Sequence, residues 1–376
     1  MNPFTCALLV FVAGLIIPAA SCAEPHIQTV WSVHVDQRLP NSPLALSSPA
    51  VVTRDQGSWV VLAGRDRWVH VYDLASGRQV RRFFLGEPSD SGALALWNGQ
   101  VVLGDIRGNM YAVDPTEGKI VWQKSLASSF TIPPQALGED FLIQTGDNEL
   151  YCFSVSGAKR WSFSGAKSTL GLYFGAEPLI QDDIVYAAFN NGDVVALKAY
   201  TGDVLWKRQT ILSHIAANVS DIKAPLAQPV LLPELNLEGE QVYNALLIPI
   251  FQGELVVLSA MDGAQFFDLP ISMKSSPLRK GDNLYIADGL GFLHLYNISK
   301  GNRVWSKKVS SYALLGPVVF GDALWLADSQ GKVFRVRWDG EVEASKPMLG
   351  HISRVPIVTD QGLLVRTDRG VLALVK

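Results

Sequence analysis

Apolar residues in this chain fall in short runs, many alternating with polar residues, and the runs are separated by glycine-bearing turns. Residues 69–72 (VHVY), 151–153 (YCF), 256–258 (VVL) and 333–336 (VFRV) are such runs. A period of two over short segments predicts β-strands rather than helices. Tight-turn pairs lie upstream of the runs: Arg107-Gly108, Asn191-Gly192, Gln252-Gly253, Gln330-Gly331 and Arg369-Gly370. Glycine supplies the positive φ that such hairpin turns need.

The runs belong to a repeat. Residues 111–122 (YAVDPTEGKIVW) recur as 195–206 (VALKAYTGDVLW) and 294–305 (HLYNISKGNRVW). Aligned on the turn glycine, the units carry Gly77, Gly118, Gly157, Gly202, Gly263, Gly301 and Gly340, with spacings of 41, 39, 45, 61, 38 and 39. Four places after the glycine stands an aromatic residue in five units: Trp122, Trp161, Trp206, Phe267 and Trp305. Arg81 and Ala344 take that place in the other two. A proline opens most units, at Pro49, Pro134, Pro178, Pro229, Pro277, Pro317 and Pro356. A period near 40 residues with strand, glycine turn and tryptophan predicts an all-β propeller of four-stranded antiparallel blades.

Seven units run from about residue 48 to about residue 349, and an eighth, ending at Lys376, has only three strands. Residues 27–35 (IQTVWSVHV), with Trp31, have the character of the missing strand. They are expected to complete the last blade and close the ring, which removes an exposed seam. The count is eight, or seven if the weak first unit pairs differently. The tryptophans are expected to cover a small-residue slot in the preceding strand, held by Ala112, Cys152, Ala196 and Ala373. Cys152 is then an alanine substitute rather than a reactive thiol.

Two stretches break the period: 207–228 lengthens a connection between blades, and 233–241 expands the first hairpin of the fifth blade. A third stretch, 165–175 (GAKSTLGLYFG), is apolar for a loop. Insertions in repeat arrays gather on one face and often bind partners.

Composition narrows the function. With 48% hydrophobic residues and 18% charged, the 376-residue chain is globular. A net charge of -3 without a basic block gives no support to nucleic-acid binding. Residues 7–23 (ALLVFVAGLIIPAASCA) are too short, and too broken by Pro18, for a good membrane-spanning helix. Residues 1–23 read as a secretory signal peptide, leaving a propeller domain over 27–376. Two cleavage patterns compete: small residues ending at Ala23, or a lipobox-like run, residues 19–22, that would make Cys22 a lipidated first residue. Cys6, Cys22 and Cys152 provide no disulfide framework.

Catalytic signatures are sparse. No His-Glu-x-x-His, Cys-x-x-Cys, Gly-x-Ser-x-Gly or calcium-loop pattern occurs, so no metal site or catalytic residue is assigned. His70 and His294 share one repeat position with Tyr111 and Tyr151 and read as strand residues.

The Asp/Asn-x-x-x-Gly-x-x-x-Trp repeat, at Asp114–Gly118–Trp122 and Asn297–Gly301–Trp305, resembles the quinoprotein-like, PQQ-repeat propellers. Within that superfamily the chain resembles the BamB family of outer-membrane β-barrel assembly lipoproteins. Residues 168–178 (STLGLYFGAEP) are similar to that family's leucine-rich loop, and 219–225 (VSDIKAP) to its Ser-Asp loop before a blade-opening proline. The resemblance implies a non-enzymatic periplasmic scaffold at the outer membrane, with no cofactor, monomeric within a complex and held by a lipid on Cys22. Its protein partner would be the β-barrel subunit of the assembly machine, with Leu170, Leu172 and Phe174 as apolar anchors and Asp221 and Lys223 as polar positions. The chain departs from the pattern at charges: Tyr173 and Phe174 stand where the family has an arginine, and Lys223 replaces an acidic residue. Two alternatives stay open: an exported propeller that binds another protein or a glycan, and a quinoprotein-type redox enzyme.

Overall fold

Tight turns fold each apolar run back on its neighbour, and four such strands make one antiparallel sheet. The computed structural model describes residues 26–36, 47–55, 57–166, 175–211, 223–237 and 240–376. Among them the strands form eight sheets, seven of four strands and one of five, the blades of a propeller. Lettered a to d outward from the axis, the second blade is Leu94–Ala95, Val101–Gly104, Asn109–Asp114 and Lys119–Ser125. Its b strand is buried throughout, whereas its d strand is exposed at most positions.

Each blade has a neighbour on both sides, so both faces of its inner strands are covered. Val101, Leu103, Tyr111 and Val113 pack against Val61, Ala63, Val69 and Val71 of the first blade. Val102, Met110 and Ala112 turn the other way, onto Phe141, Ile143 and Phe153 of the third. This two-sided burial is why inner strands read as continuous apolar runs while outer ones alternate. One such cluster fills each of the eight junctions.

The ring closes with the N-terminal strand. Thr29–His34 pairs antiparallel with Val371–Val375, placing Ser32 opposite Ala373 and His34 opposite Val371. Gln28 and Lys376 exchange backbone hydrogen bonds of 2.8 and 3.0 Å. The eighth blade is thus Ile357–Val358, Leu363–Arg366 and Val371–Val375 plus Thr29–His34, as expected from the repeat.

The tryptophans do more than cover a slot in their own blade. Trp122, Trp161 and Trp206 stand opposite Ala112, Cys152 and Ala196, as expected. Trp31, however, stands opposite Leu374 rather than Ala373, and Trp305 opposite Leu295. The shared feature is the contact with the next blade. A Cβ on Gly77, Gly202, Gly263 or Gly340 would lie 2.5 to 2.8 Å from the ring of Trp31, Trp161, Trp206 or Trp305 respectively. The indole N–H groups of Trp31, Trp122, Trp161 and Trp206 donate to Leu74, Val155, Ala199 and Ala260 carbonyls at 2.7 to 2.9 Å. Each ring therefore joins a blade to the glycine turn of the following one, where glycine is needed for its positive φ and its missing side chain.

Units lacking the tryptophan have local reasons. Ala344 belongs to the seventh blade, and the eighth has no c–d turn to cover because its c and d strands come from opposite ends of the described ring. Arg81 lays its side chain beside Gly118. After Phe267, the expanded hairpin Val230–Leu237 with Glu240–Phe251 takes over. Its Asn236 donates to Ile298 O at 2.8 Å and covers Gly301. Pro317 does not open its unit: it lies inside Leu314–Phe320, where the ladder to the next strand shifts register and the missing N–H is tolerated.

Candidate functional site

Strand order divides the ring into two faces. The a–b and c–d turns lie on one face, together with both termini of the described ring. The b–c turns and the connections between blades lie on the other, the connection face. The described ends of two connections, 165–166 with 175–178 and 210–211 with 223, lie on that second face.

Several b–c turns are built on aspartates whose two oxygens do different work. Asp288 Oδ1 accepts from the Leu290 and Phe292 N–H groups, and Oδ2 lies 3.1 Å from His294 Nε2. Asp105 repeats this with the N–H groups of Arg107 and Asn109, and with the Tyr111 hydroxyl at 2.7 Å. His70 pairs likewise with Asp66. The histidines are thus strand residues that satisfy turn carboxylates, a buried one at Asp288 and a half-buried one at Asp66. Burial opposes ionisation of Asp288, but the hydrogen bonds from His294 and from the backbone outweigh it and hold the carboxyl below its ordinary value. Among the described residues no group of three or more His, Cys, Asp or Glu is placed to hold a metal ion. Cys152 is buried between the third and fourth blades, and burial pushes its thiol up to about 12. A thiol so protected is inert.

At the axis the connection face opens into a cavity of about 950 Å³ to which all eight blades contribute. Its mouth is a collar of hydrogen bonds between blades. The Ala93 N–H donates to Ser48 O, and the Gly92 N–H to Thr131 O. Gln135 Nε2 donates to Glu177 Oε2 at 3.1 Å, and Gln228 Nε2 to Pro178 O at 3.0 Å. Ser276 Oγ donates to Gln228 O, and Ser275 Oγ to Gly316 O. From the eighth blade Arg354 reaches across the ring, its Nη2 donating to Thr131 O at 3.0 Å. Burial raises the proton affinity of Glu177, against the opposing pull of Arg354 and Gln135. Lys274 stands with its Nζ 4.5 Å from the Phe251 ring centre, and burial lowers its proton affinity.

The expected partner-binding residues stand as follows. Leu170, Leu172, Phe174 and Asp221 lie outside the described residues, as does Cys22. Lys223 is exposed, and its side chain passes within 3.5 Å of the position a Cβ on Gly253 would take. The described ends of both connections meet at the axis, where Gly175, Glu177 and Ala224 line the same cavity. Sequence reasoning missed Glu177, Lys274 and Arg354. A signal was available, since each stands just upstream of a blade-opening proline: Pro178, Pro277 and Pro356.

Known proteins resemble this geometry and this sequence. A family profile described as outer membrane protein assembly factor BamB matches residues 65–245. The BamB of Burkholderia pseudomallei is 25% identical over 351 residues, 92% of this chain and 86% of the relative. That of Bordetella pertussis is 24% identical, over 93% of this chain and 87% of the relative. Among solved structures, BamB from Moraxella catarrhalis aligns with a TM-score of 0.76 at 19% identity, covering 93% of this chain and 99% of the other. A europium-containing methanol dehydrogenase aligns at 0.68 and 13% identity, over 90% of this chain and 84% of its own; at those identities the likeness is one of fold. The repeat, the eight-bladed ring and these matches agree: the chain is an eight-bladed β-propeller with PQQ-like repeats, similar to the BamB proteins.

Proposed function

We propose that this propeller is a non-enzymatic scaffold that assists assembly of β-barrel proteins into the outer membrane from the periplasmic side. The observation that carries the reading is similarity, over more than nine-tenths of this chain, to proteins named as outer membrane assembly factors. The repeated residues support it, because Gly202, Trp161 and their equivalents are committed to joining blades rather than to chemistry. In this reading Leu170, Leu172 and Phe174 are apolar anchors for the β-barrel subunit of the assembly machine, and Asp221 and Lys223 add polar contacts. Apolar anchors ringed by polar residues are where interfaces concentrate binding energy.

The same reading gives the ring an orientation. Ile27 stands beside the C-terminus on the face opposite the connections. Five residues of chain, the separation of Cys22 from Ile27, can reach at most roughly 17 Å. A lipid on Cys22 would hold the ring by its termini face and turn the connection face away from the membrane, towards a partner. Alanine at both Leu172 and Phe174 is the test. The expected outcome is loss of co-purification with the β-barrel subunit while the thermal unfolding midpoint is unchanged. Undiminished co-purification contradicts the assignment of this loop.

A further inference from the structure

The axial cavity carries an unmatched chemical feature. Its wall is mostly apolar, with Leu226, Phe251, Pro277 and Ile352 among its lining, yet two cations, Lys274 and Arg354, and two carboxylates, Glu177 and Asp368, also line it. No carboxylate comes within salt-bridge distance of either among the described residues. Arg354 Nε is buried without a hydrogen-bond partner. Glu177 is the nearest acidic influence on Arg354, and it is itself tied to Gln135. Asp368, on the same wall, is spent on His351, whose N–H and Nδ1 lie 2.8 and 2.9 Å from its oxygens. Lys274 and Arg354 are half-buried; charges even partly withdrawn from water are ordinarily paired, and burial works against both cations here. The volume suits a small ligand or the end of a chain.

We propose that the axial cavity binds a carboxylate carried on an apolar body, with Arg354 and Lys274 receiving the carboxylate and the proline-rich wall receiving the body. A free organic acid and the C-terminus of an extended peptide share this chemistry. The inference does not depend on the loops assigned to the assembly machine, and its test leaves them untouched.

Titration calorimetry on the full chain, with octanoate against octanamide, reads the charge directly. The acid is expected to bind about tenfold or more tightly than the neutral amide, as the loss of a charged hydrogen bond implies. Lys274→Met, in a connection outside the strand ladders, should reduce that preference without lowering the unfolding midpoint. Arg354→Gln should abolish it, and Lys274→Met carries the test alone if Arg354→Gln fails to fold. Acetyl-Ala-Val-Leu with a free C-terminus, compared with its amide, separates the two sources. A preference larger than that of octanoate assigns the site to chain ends, and a smaller one to free acids. Equal binding of acid and amide, or no heat from either up to about 10 mM, overturns the proposal and leaves Arg354 as a strut across the ring.

Discussion

Trp31 donates its indole N–H to the Leu74 carbonyl at 2.7 Å and lays its ring on Gly77. These residues belong to the last blade and the first, so one side chain near the N-terminus completes the cycle of blade-to-blade contacts. Trp31→Ala removes the ring from a junction that also contains Val60, Leu62, Tyr72 and Leu372. It should lower unfolding free energy by about 3–5 kcal/mol, read from urea denaturation. Trp31→Phe keeps most of the contact, leaves the Leu74 carbonyl unpaired, and should cost about 1–3 kcal/mol.

The turn glycines should rank by what their missing side chain would meet. Gly202 has φ of +75°, and a Cβ there would lie 2.8 Å from the Trp161 ring. Gly281 has φ of +59° with nothing within 4 Å. Gly281→Ala should cost about 1 kcal/mol for backbone strain alone, and Gly202→Ala clearly more. Thermal unfolding of the two variants checks the order.

Asp288 should shape the acid limb of stability. Its folded-state carboxyl is held below the ordinary value of 3.8. The stability it contributes is therefore complete above that ordinary value and is lost as pH falls through the lower folded value. Asp288→Asn should destabilise the protein at neutral pH, and its stability should fall less steeply than the wild type's once pH drops below 3.8. Denaturation curves collected across the acid range test the sign.

Cys152 should be silent in the folded protein. Its thiol is buried and pushed up to about 12, so maleimide at mildly alkaline pH should label it only after unfolding, as read by peptide mapping. The second and fourth blades hold Ala112 and Ala196 at this slot. Cys152→Ala should accordingly cost only about 1 kcal/mol.

The propeller was legible in the sequence because one short motif carries both halves of a blade junction. Gly157 and Trp161 belong to one turn, yet Gly157 receives Trp122 from behind while Trp161 reaches ahead to Gly202. The gaps in the motif were not legible. Ala344 makes sense only once the termini meet in the next blade, and Phe267 only once Asn236 covers Gly301. The axial site was hidden for a different reason. Glu177, Lys274 and Arg354 come from three connections far apart in the chain, and ring closure alone brings them to one cavity. The proposed anchors Leu170, Leu172 and Phe174 rest on resemblance and lie outside the described residues, while Gly175 and Ala224 line the axial cavity.

A photo-cross-linking probe at Leu172 in the native cell, with mass spectrometry of the adduct, tests the scaffold most directly. An adduct with the β-barrel subunit of the outer-membrane assembly machine is the expected result. An adduct formed only with proteins outside that machine would contradict it.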